Sequence, residues 1–313
     1  MAELGHGALR ELIEGFGGCD EYFSEMISAA ALLDGGPFEK WYIDGGPRPE
    51  KLVYQLVGSD CGRIASAAAL LGGLECAGID INMGCCAPMI RKAGGGIAWM
   101  ACPDRAGELV GRVRRATKKR LSFKLRVGFS DDFGYLAAFC RRLESEGADM
   151  ITLHPRTAKE KFKRLARWDY VGALRRELRI PVAGNGDVGD AQTLIRRASG
   201  PCDAVMVGRA AVREPWIFAR ARELGAGEAV GSPARAIPEP QAAGVIEETG
   251  LRFIELLARR QPPEFHLSRA RRFFGFFCGN LKWGTHVNNL LRREKSLSGM
   301  ERAWREYFER EGE

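Results

Sequence analysis

The chain has 313 residues, 45% of them hydrophobic and 28% charged, with a formal net charge of +7. This length suits one large domain plus a smaller one, and the balance is that of a globular protein, not a disordered or collagen-like chain. There is no apolar run of membrane-span length, no signal-peptide pattern, and nine scattered cysteines without a CxxC pair. These features argue against a disulfide framework or structural metal site and for a reducing compartment, so a cytoplasmic location is expected, with no metal and no membrane partner.

The first pattern is helical, Ala8–Ile13, followed by a strand over Glu21–Met26 and a helix of small residues over Ile27–Leu33. A Gly- and Pro-rich loop, Gly35–Pro49, leads to a β-rich run, Lys51–Gly58, and a helix over Arg63–Leu71. The next strand opens the stretch Gly78-Ile79-Asp80-Ile81-Asn82-Met83-Gly84-Cys85-Cys86-Ala87-Pro88. Its Ile79, Ile81 and Met83 alternate with Asp80 and Asn82, and the run stops at a glycine with two thiols beyond it. Gly94-Gly95-Gly96 and an apolar segment, Ile97–Met100, come next. Further on, the pattern predicts helices over Gly107–Lys119, Tyr135–Glu146, Tyr170–Glu177, Asp190–Ala198 and Ala210–Leu224. Between them it predicts strands over Leu121–Gly128, Met150–Arg156, Ile180–Asp187 and Ala204–Arg209.

Strand and helix thus alternate in units of about 25–30 residues, which implies a parallel sheet. The length and count favour a TIM (β/α)8 barrel over an open doubly wound sheet, although only seven strands are counted and the chain opens on a helix. A linker rich in Gly, Pro and Ala spans Gly225–Pro240 and sets the expected boundary between a catalytic domain, residues 1–230, and a helical C-terminal domain, residues 238–313. Between Arg252 and Lys295 there are ten Lys/Arg against three acids, an excess as large as that of the whole chain. An anionic partner for the C-terminal part follows from this.

Polar residues recur at the carboxyl ends of the strands: Gln55, Asn82, Cys85, Lys124, Arg126, His154, Arg156, Asn185, Asp187 and Arg209. Any one of them is equally read as a cap or solvated loop residue, and a lone cysteine as a small buried hydrophobe. Together they occupy the rim where a barrel keeps its active site. A cysteine at that rim can act as a nucleophile or a proton donor. Gly184-Asn185-Gly186-Asp187 and Val207-Gly208-Arg209-Ala210 end the last two strands, where this fold commonly holds a phosphate, so a phosphorylated cofactor is expected. There is no GxGxxG fingerprint and no P-loop.

Seven ordered motifs carry a resemblance. They are Ser24-Glu25-Met26-Ile27-Ser28, Val53-Tyr54-Gln55-Leu56-Val57-Gly58, Asp80-Ile81-Asn82-Met83-Gly84-Cys85, Lys124-Leu125-Arg126-Val127-Gly128, Leu153-His154-Pro155-Arg156-Thr157, Gly184-Asn185-Gly186-Asp187 and Met206-Val207-Gly208-Arg209, with Glu214-Pro215-Trp216 beyond them. In this order they resemble the tRNA-dihydrouridine synthases over about residues 1–220. The resemblance implies an FMN-bound barrel with a helical tRNA-binding domain, acting as a monomer without a protein partner. NADPH would reduce the flavin, a hydride would pass to C6 of a uridine in tRNA, and a cysteine would protonate C5.

Carried over by motif, Cys85 matches the general acid, and Gln55, Lys124 and His154 match flavin contacts. Asn185, Gly186, Asp187, Gly208 and Arg209 match the end that holds the flavin phosphate, and Asn82 and Arg156 would lie near flavin or uridine. Arg271 and Arg272 are candidate tRNA phosphate contacts, while the neighbouring Phe273, Phe274, Phe276 and Phe277 read mainly as core. The chain departs from the family pattern twice. Cys86 stands where the family has the proline of Gly-Cys-Pro, so it can stand in for Cys85 or pair with it. Met1 falls where the family's first strand ends in Ala-Pro-Met, so that strand is expected to be missing or truncated. The alternatives are another FMN barrel, similar to dihydroorotate dehydrogenase, and a non-catalytic tRNA-binding relative.

Overall fold

The computed structural model describes residues 3–160, 163–225 and 243–311; Met1, and the expected linker from residue 226 on, lie outside them. The described residues hold seven strands: β1 (Tyr22–Ser28), β2 (Leu52–Val57), β3 (Gly78–Met83), β4 (Arg120–Gly128), β5 (Met150–Thr157), β6 (Val182–Asn185) and β7 (Ala204–Met206). They form one parallel sheet in the order of the chain, each strand paired with the next. Helices fill the connections, which makes this a TIM-barrel-like α/β fold with a helical C-terminal region.

Alternation sets the two faces of the sheet. Ile79 and Ile81 of β3, Leu121, Phe123 and Leu125 of β4, and Ile151 and Leu153 of β5 are fully buried. The residues between them are polar: Asp80 and Asn82, Ser122 and Lys124, Thr152 and His154. Register brings the polar ones side by side, with Gln55 opposite Asp80, Asn82 opposite Lys124, Lys124 opposite Thr152, and Arg126 opposite His154. Since paired residues of neighbouring strands share a face, one face of the sheet is polar and the other apolar. Helix starts are capped as the sequence allows: the Asp60 side chain accepts from the Arg63 N–H at 2.7 Å, and that of Asp132 from the Tyr135 N–H at 2.9 Å.

The single helix expected over Ala210–Leu224 is two, Arg209–Arg213 and Ile217–Gly225. Pro215 explains the break: it has no N–H to donate, and it pushes Glu214 out of the helical region. Glu214 adopts φ −127°, ψ 81°. Likewise Ile27 and Ser28 close β1 instead of opening a helix, and the Ser28 hydroxyl caps the short helix Ala29–Leu33.

The chain divides into two compact units. One holds the sheet, residues 21–188 with 193–207. The other gathers the chain up to Asp20, residues 189–192, and the chain from Gly208 onward. This second unit contains the helices Gly7–Gly15, Ala243–Arg260, Pro263–Phe277, Gly284–Arg293 and Leu297–Glu311. Its core is aromatic. Phe253 stacks on Phe273 with centroids 3.7 Å apart, Phe274 meets Trp304 at 4.9 Å, and Phe273, Phe274 and Phe277 are wholly buried. The Trp304 indole N–H donates to the Glu247 carbonyl at 2.9 Å, which satisfies its one buried donor.

Gly250 lies under this indole, and a Cβ there would stand 2.5 Å from the ring, whereas nothing lies within 4 Å of a Cβ at Gly275. Both glycines are helical. Gly275→Ala is therefore expected to raise stability by about 0.5–1 kcal/mol through helix propensity alone. Gly250→Ala is expected to lower it by about 1–3 kcal/mol through overpacking. Urea denaturation of the two variants checks the contrast, and equal effects would contradict the packing described.

Candidate active site

Asp80 is fully buried on β3. Its carboxylate accepts from the Gln55 side-chain amide at 2.8 Å and from the Ser122 hydroxyl at 2.7 Å. Burial pushes its pKa up to about 6, against the pull of those two donors and of the Lys124 and Arg120 charges. With its amide given to Asp80, Gln55 turns its oxygen to Asn82, whose amide donates to it at 3.1 Å. The Asn82 oxygen is then left to accept the backbone N–H groups of Gly84 at 3.1 Å and Cys85 at 2.8 Å. Such a side-chain-to-backbone bond closes a turn at a strand end.

The Cys85 peptide is held on its other side too. Its carbonyl accepts the Ile97 N–H at 3.0 Å. Gly96 makes this approach possible: its φ is +57°, and a Cβ would stand 2.5 Å from the Cys85 oxygen. The Cys85 thiol is half-buried, as is that of Cys86. Cys86 turns its thiol to the Gly84 carbonyl at 3.5 Å, and burial raises its pKa against the attraction of Arg126.

On β4, Lys124 donates to the Asn185 side-chain oxygen at 3.1 Å, and the Asn185 amide is fixed by donating to the Met206 carbonyl at 2.8 Å. Burial lowers the Lys124 pKa to about 8, with Asp80 opposing the shift, so the ammonium form prevails at neutral pH. His154 on β5 is driven the same way, to about 3, by burial first and then by Lys124, Arg126 and Arg156; it is neutral at pH 7. Arg156 donates to the His154 Nε2 at 3.0 Å, which places the ring proton on Nδ1.

Arg156, only 2% exposed, gives its other donors to both Asp187 oxygens at 2.6 and 2.8 Å and to the Arg164 carbonyl at 2.5 Å. Burial opposes ionisation of Asp187, but the Ala166 N–H and Arg156 together hold its carboxyl below the usual range. The turn that presents Asp187 is left-handed, with φ +117° at Gly186 and +52° at Asp187; aspartate tolerates that conformation better than most residues.

Gln55, Asn82, Cys85, Lys124, His154, Arg156, Asn185, Gly186 and Asp187 all belong to the sheet unit. Hydrogen bonds gather them into three sets: Ser122 to Cys85 through Asp80, Gln55 and Asn82; Lys124 with Asn185; and His154 with Arg156 and Asp187. Gly208 and Arg209 belong to the second unit, where Arg209 is exposed at the start of a five-residue helix. So do Arg271 and Arg272. Arg271 is half-buried and donates to the Glu294 carbonyl at 2.9 Å, while Arg272 is exposed, 3.6 Å from Glu3. Arg259 and Arg260 both pair with Glu11. Lys282, Arg292, Arg293 and Lys295, part of the basic excess counted in the sequence but not singled out there as phosphate contacts, are exposed cations of the same unit. The sequence places Arg126 on the rim without giving it a role, and it does not single out Thr152. Arg126 is buried on the polar face within electrostatic range of both thiols, and the Thr152 hydroxyl is buried there without a hydrogen-bond partner. Alternation alone would have placed Thr152 on that face.

A parallel barrel-type sheet whose carboxyl-end rim carries a cysteine held by its peptide, an ammonium and a neutral imidazole is that of a barrel enzyme. The comparisons name the family. The dihydrouridine synthase (Dus) model matches residues 1–260. A probable tRNA-dihydrouridine synthase of Aquifex aeolicus is 33% identical over 229 residues, covering 71% of each chain. One of Mycobacterium leprae is 30% identical over 286 residues, covering 90% of this chain and 73% of the relative. A tRNA-dihydrouridine(16) synthase of Ralstonia nicotianae is 32% identical over 228 residues, covering 68% of each. The chain belongs to the dihydrouridine synthase family. Among the described residues no helix is long and apolar enough to cross a membrane.

The Asp80 geometry yields a pH prediction. A carboxyl raised from 3.8 to about 6 holds its proton more tightly when folded than when unfolded. Its contribution to stability is therefore present below about pH 4 and lost as pH rises through about 6, a change on the order of 3 kcal/mol. His154, lowered from 6.5 to about 3, acts with the opposite sign over an overlapping window. In a His154→Gln background, denaturation between pH 4 and 6 should expose a fall in stability with rising pH that Asp80→Asn removes. An unchanged profile in that double variant would contradict the assignment.

Proposed function

We propose that this protein reduces uridine to 5,6-dihydrouridine in tRNA, with FMN as its resident cofactor and NADPH as the reductant. The observation that carries this reading is the Cys85 turn, a half-buried thiol whose peptide is gripped at both N–H and C=O beside a face of amide, ammonium and imidazole groups. Family membership supports it.

The donor set suits a flavin. The ring has alternating carbonyls and nitrogens, and the polar face offers Gln55, Lys124 and His154 to them, with the unpartnered Thr152 hydroxyl on the same face. Asn185 and Gly186, at the end of β6, would face the phosphate end. Asp187 serves differently: its carboxylate repels a phosphate, and it anchors Arg156, which in turn fixes the tautomer of His154. The chemistry that FMN would supply if held by these residues is hydride transfer, from NADPH to C6 of the uracil ring.

Addition at C6 leaves an enolate, and Cys85 gives its proton to C5; the thiolate then regains a proton from solvent. The Asn82 bond sets where that thiol stands. Lys124, charged at neutral pH, supplies positive potential where negative charge gathers. The target base must leave its stack to reach the rim. Exposed cations of the helical unit, Arg272, Arg292 and Arg293 among them, are suited to the tRNA phosphates.

The test uses purified protein, FMN, NADPH and unmodified tRNA. Cys85→Ala should lower dihydrouridine formation, read by mass spectrometry, by about 100-fold or more. NADPH should still bleach the flavin of that variant, and Cys86→Ala should remain active. Activity retained in Cys85→Ala and lost in Cys86→Ala would move the proton donor to Cys86. Colourless protein that gains no absorbance with added FMN would overturn the flavin reading.

A further inference from the structure

Among the described residues of the sheet unit, five large apolar side chains are exposed: Leu70, Met89, Phe129, Tyr135 and Leu165. Four of them follow the carboxyl ends of three consecutive strands. Met89 lies on the short helix Pro88–Lys92 after β3, Phe129 and Tyr135 follow β4, and Leu165 lies after β5. Leu70, near the far end of the helix Cys61–Gly72, is the exception. Because β3, β4 and β5 are parallel neighbours, their carboxyl-end loops share one edge of the sheet, the edge that carries Cys85.

Two of the four stand out. Met89 is 81% exposed and Leu165 83%, about twice the others. Tyr135 is engaged, its hydroxyl donating to the Met100 carbonyl and its ring stacked on Phe139. Neither Met89 nor Leu165 contributes its side chain to a core. Each has two exposed cations near it in the chain: Arg91 and Lys92 follow Met89, and Lys163 and Arg164 precede Leu165. None of these four cations forms an ion pair among the described residues, whereas the nearby Arg167 is neutralised by Glu160 and Asp131.

A protein partner is recognised by a contiguous apolar patch with a polar rim. Single apolar tips set among unneutralised cations are a different pattern. They match side chains that enter a base stack while the cations beside them meet phosphates.

We propose that Met89 and Leu165 are wedges for tRNA: as the target uridine leaves its stack, they occupy the vacated space against its neighbouring bases. Arg91, Lys92, Lys163 and Arg164 hold the flanking phosphates. The inference rests on the reading of this chain as a dihydrouridine synthase, and it adds the residues that keep the base extruded. The wedges act on the extruded state more than on encounter, so their loss should appear mainly in kcat and that of the cations mainly in KM.

The test is steady-state dihydrouridine formation on an unmodified tRNA transcript, with tRNA affinity measured alongside. Met89→Ala/Leu165→Ala should lower kcat by about tenfold or more while KM changes less. The exchanges Met89→Leu and Leu165→Met, which keep the apolar bulk, should stay within about twofold of the parent. Leu70→Ala, an exposed apolar truncation away from this edge, should have no effect. A double alanine variant as active as the parent, or a loss equally large for Leu70→Ala, would overturn the proposal. A parent protein that forms no dihydrouridine would defeat the underlying reading instead, and that is seen before any variant is compared.

Discussion

Asp80 lies wholly buried with two neutral donors on its carboxylate, Gln55 and Ser122, and the site is built outward from that arrangement. A buried carboxylate must be hydrogen-bonded or lose its charge. Here that demand fixes Gln55, and the orientation of Gln55 dictates that of Asn82. Asn82 has one oxygen left, and it closes the turn that presents Cys85. A constraint at the centre of the sheet thus sets the position of a group at its rim. Gly96 completes the grip, because only a residue without a side chain lets the Ile97 N–H reach the Cys85 carbonyl.

The second network works by the same logic with opposite charges. Arg156 is buried and always cationic, so it must spend its donors, and Asp187, His154 and the Arg164 carbonyl receive them. The result is a neutral histidine of fixed tautomer near an ammonium that stays charged at pH 7. The first network ties β2, β3 and β4 to the loop after β3, and the second ties β5 to the loop after β6, so neighbouring parts of the rim are held together.

Much of the sheet was legible in the sequence, for the reason that alternation and glycine stops are local signals. All seven strands fall where the pattern places them, and the chain order of the motifs reproduces the spatial order of the sheet. The helical pattern over Ala210–Leu224 runs past Pro215, because the apolar spacing continues across the proline and hides the break. Other features depend on partners remote in the chain. Nothing local shows that Asp80 would bond Gln55, 25 residues away, or that Arg156 would pair with Asp187, 31 residues away. Arg271 looks like an exposed cation beside aromatics, yet its guanidinium reaches a carbonyl 23 residues on. The face that carries Thr152 and Arg126 is polar but buried, and alternation cannot tell an interior polar face from a solvated one.

The central claim is that the Asn82 carboxamide positions the Cys85 thiol for proton delivery. It is tested most directly by a single turnover of flavin-reduced enzyme on unmodified tRNA in deuterated water, comparing the parent with Asn82→Ala. The account predicts one deuterium at C5 of the product, and a rate of uridine reduction about tenfold or more slower in the variant, with flavin reduction by NADPH unaltered. Uridine reduction at the parental rate in Asn82→Ala would contradict it.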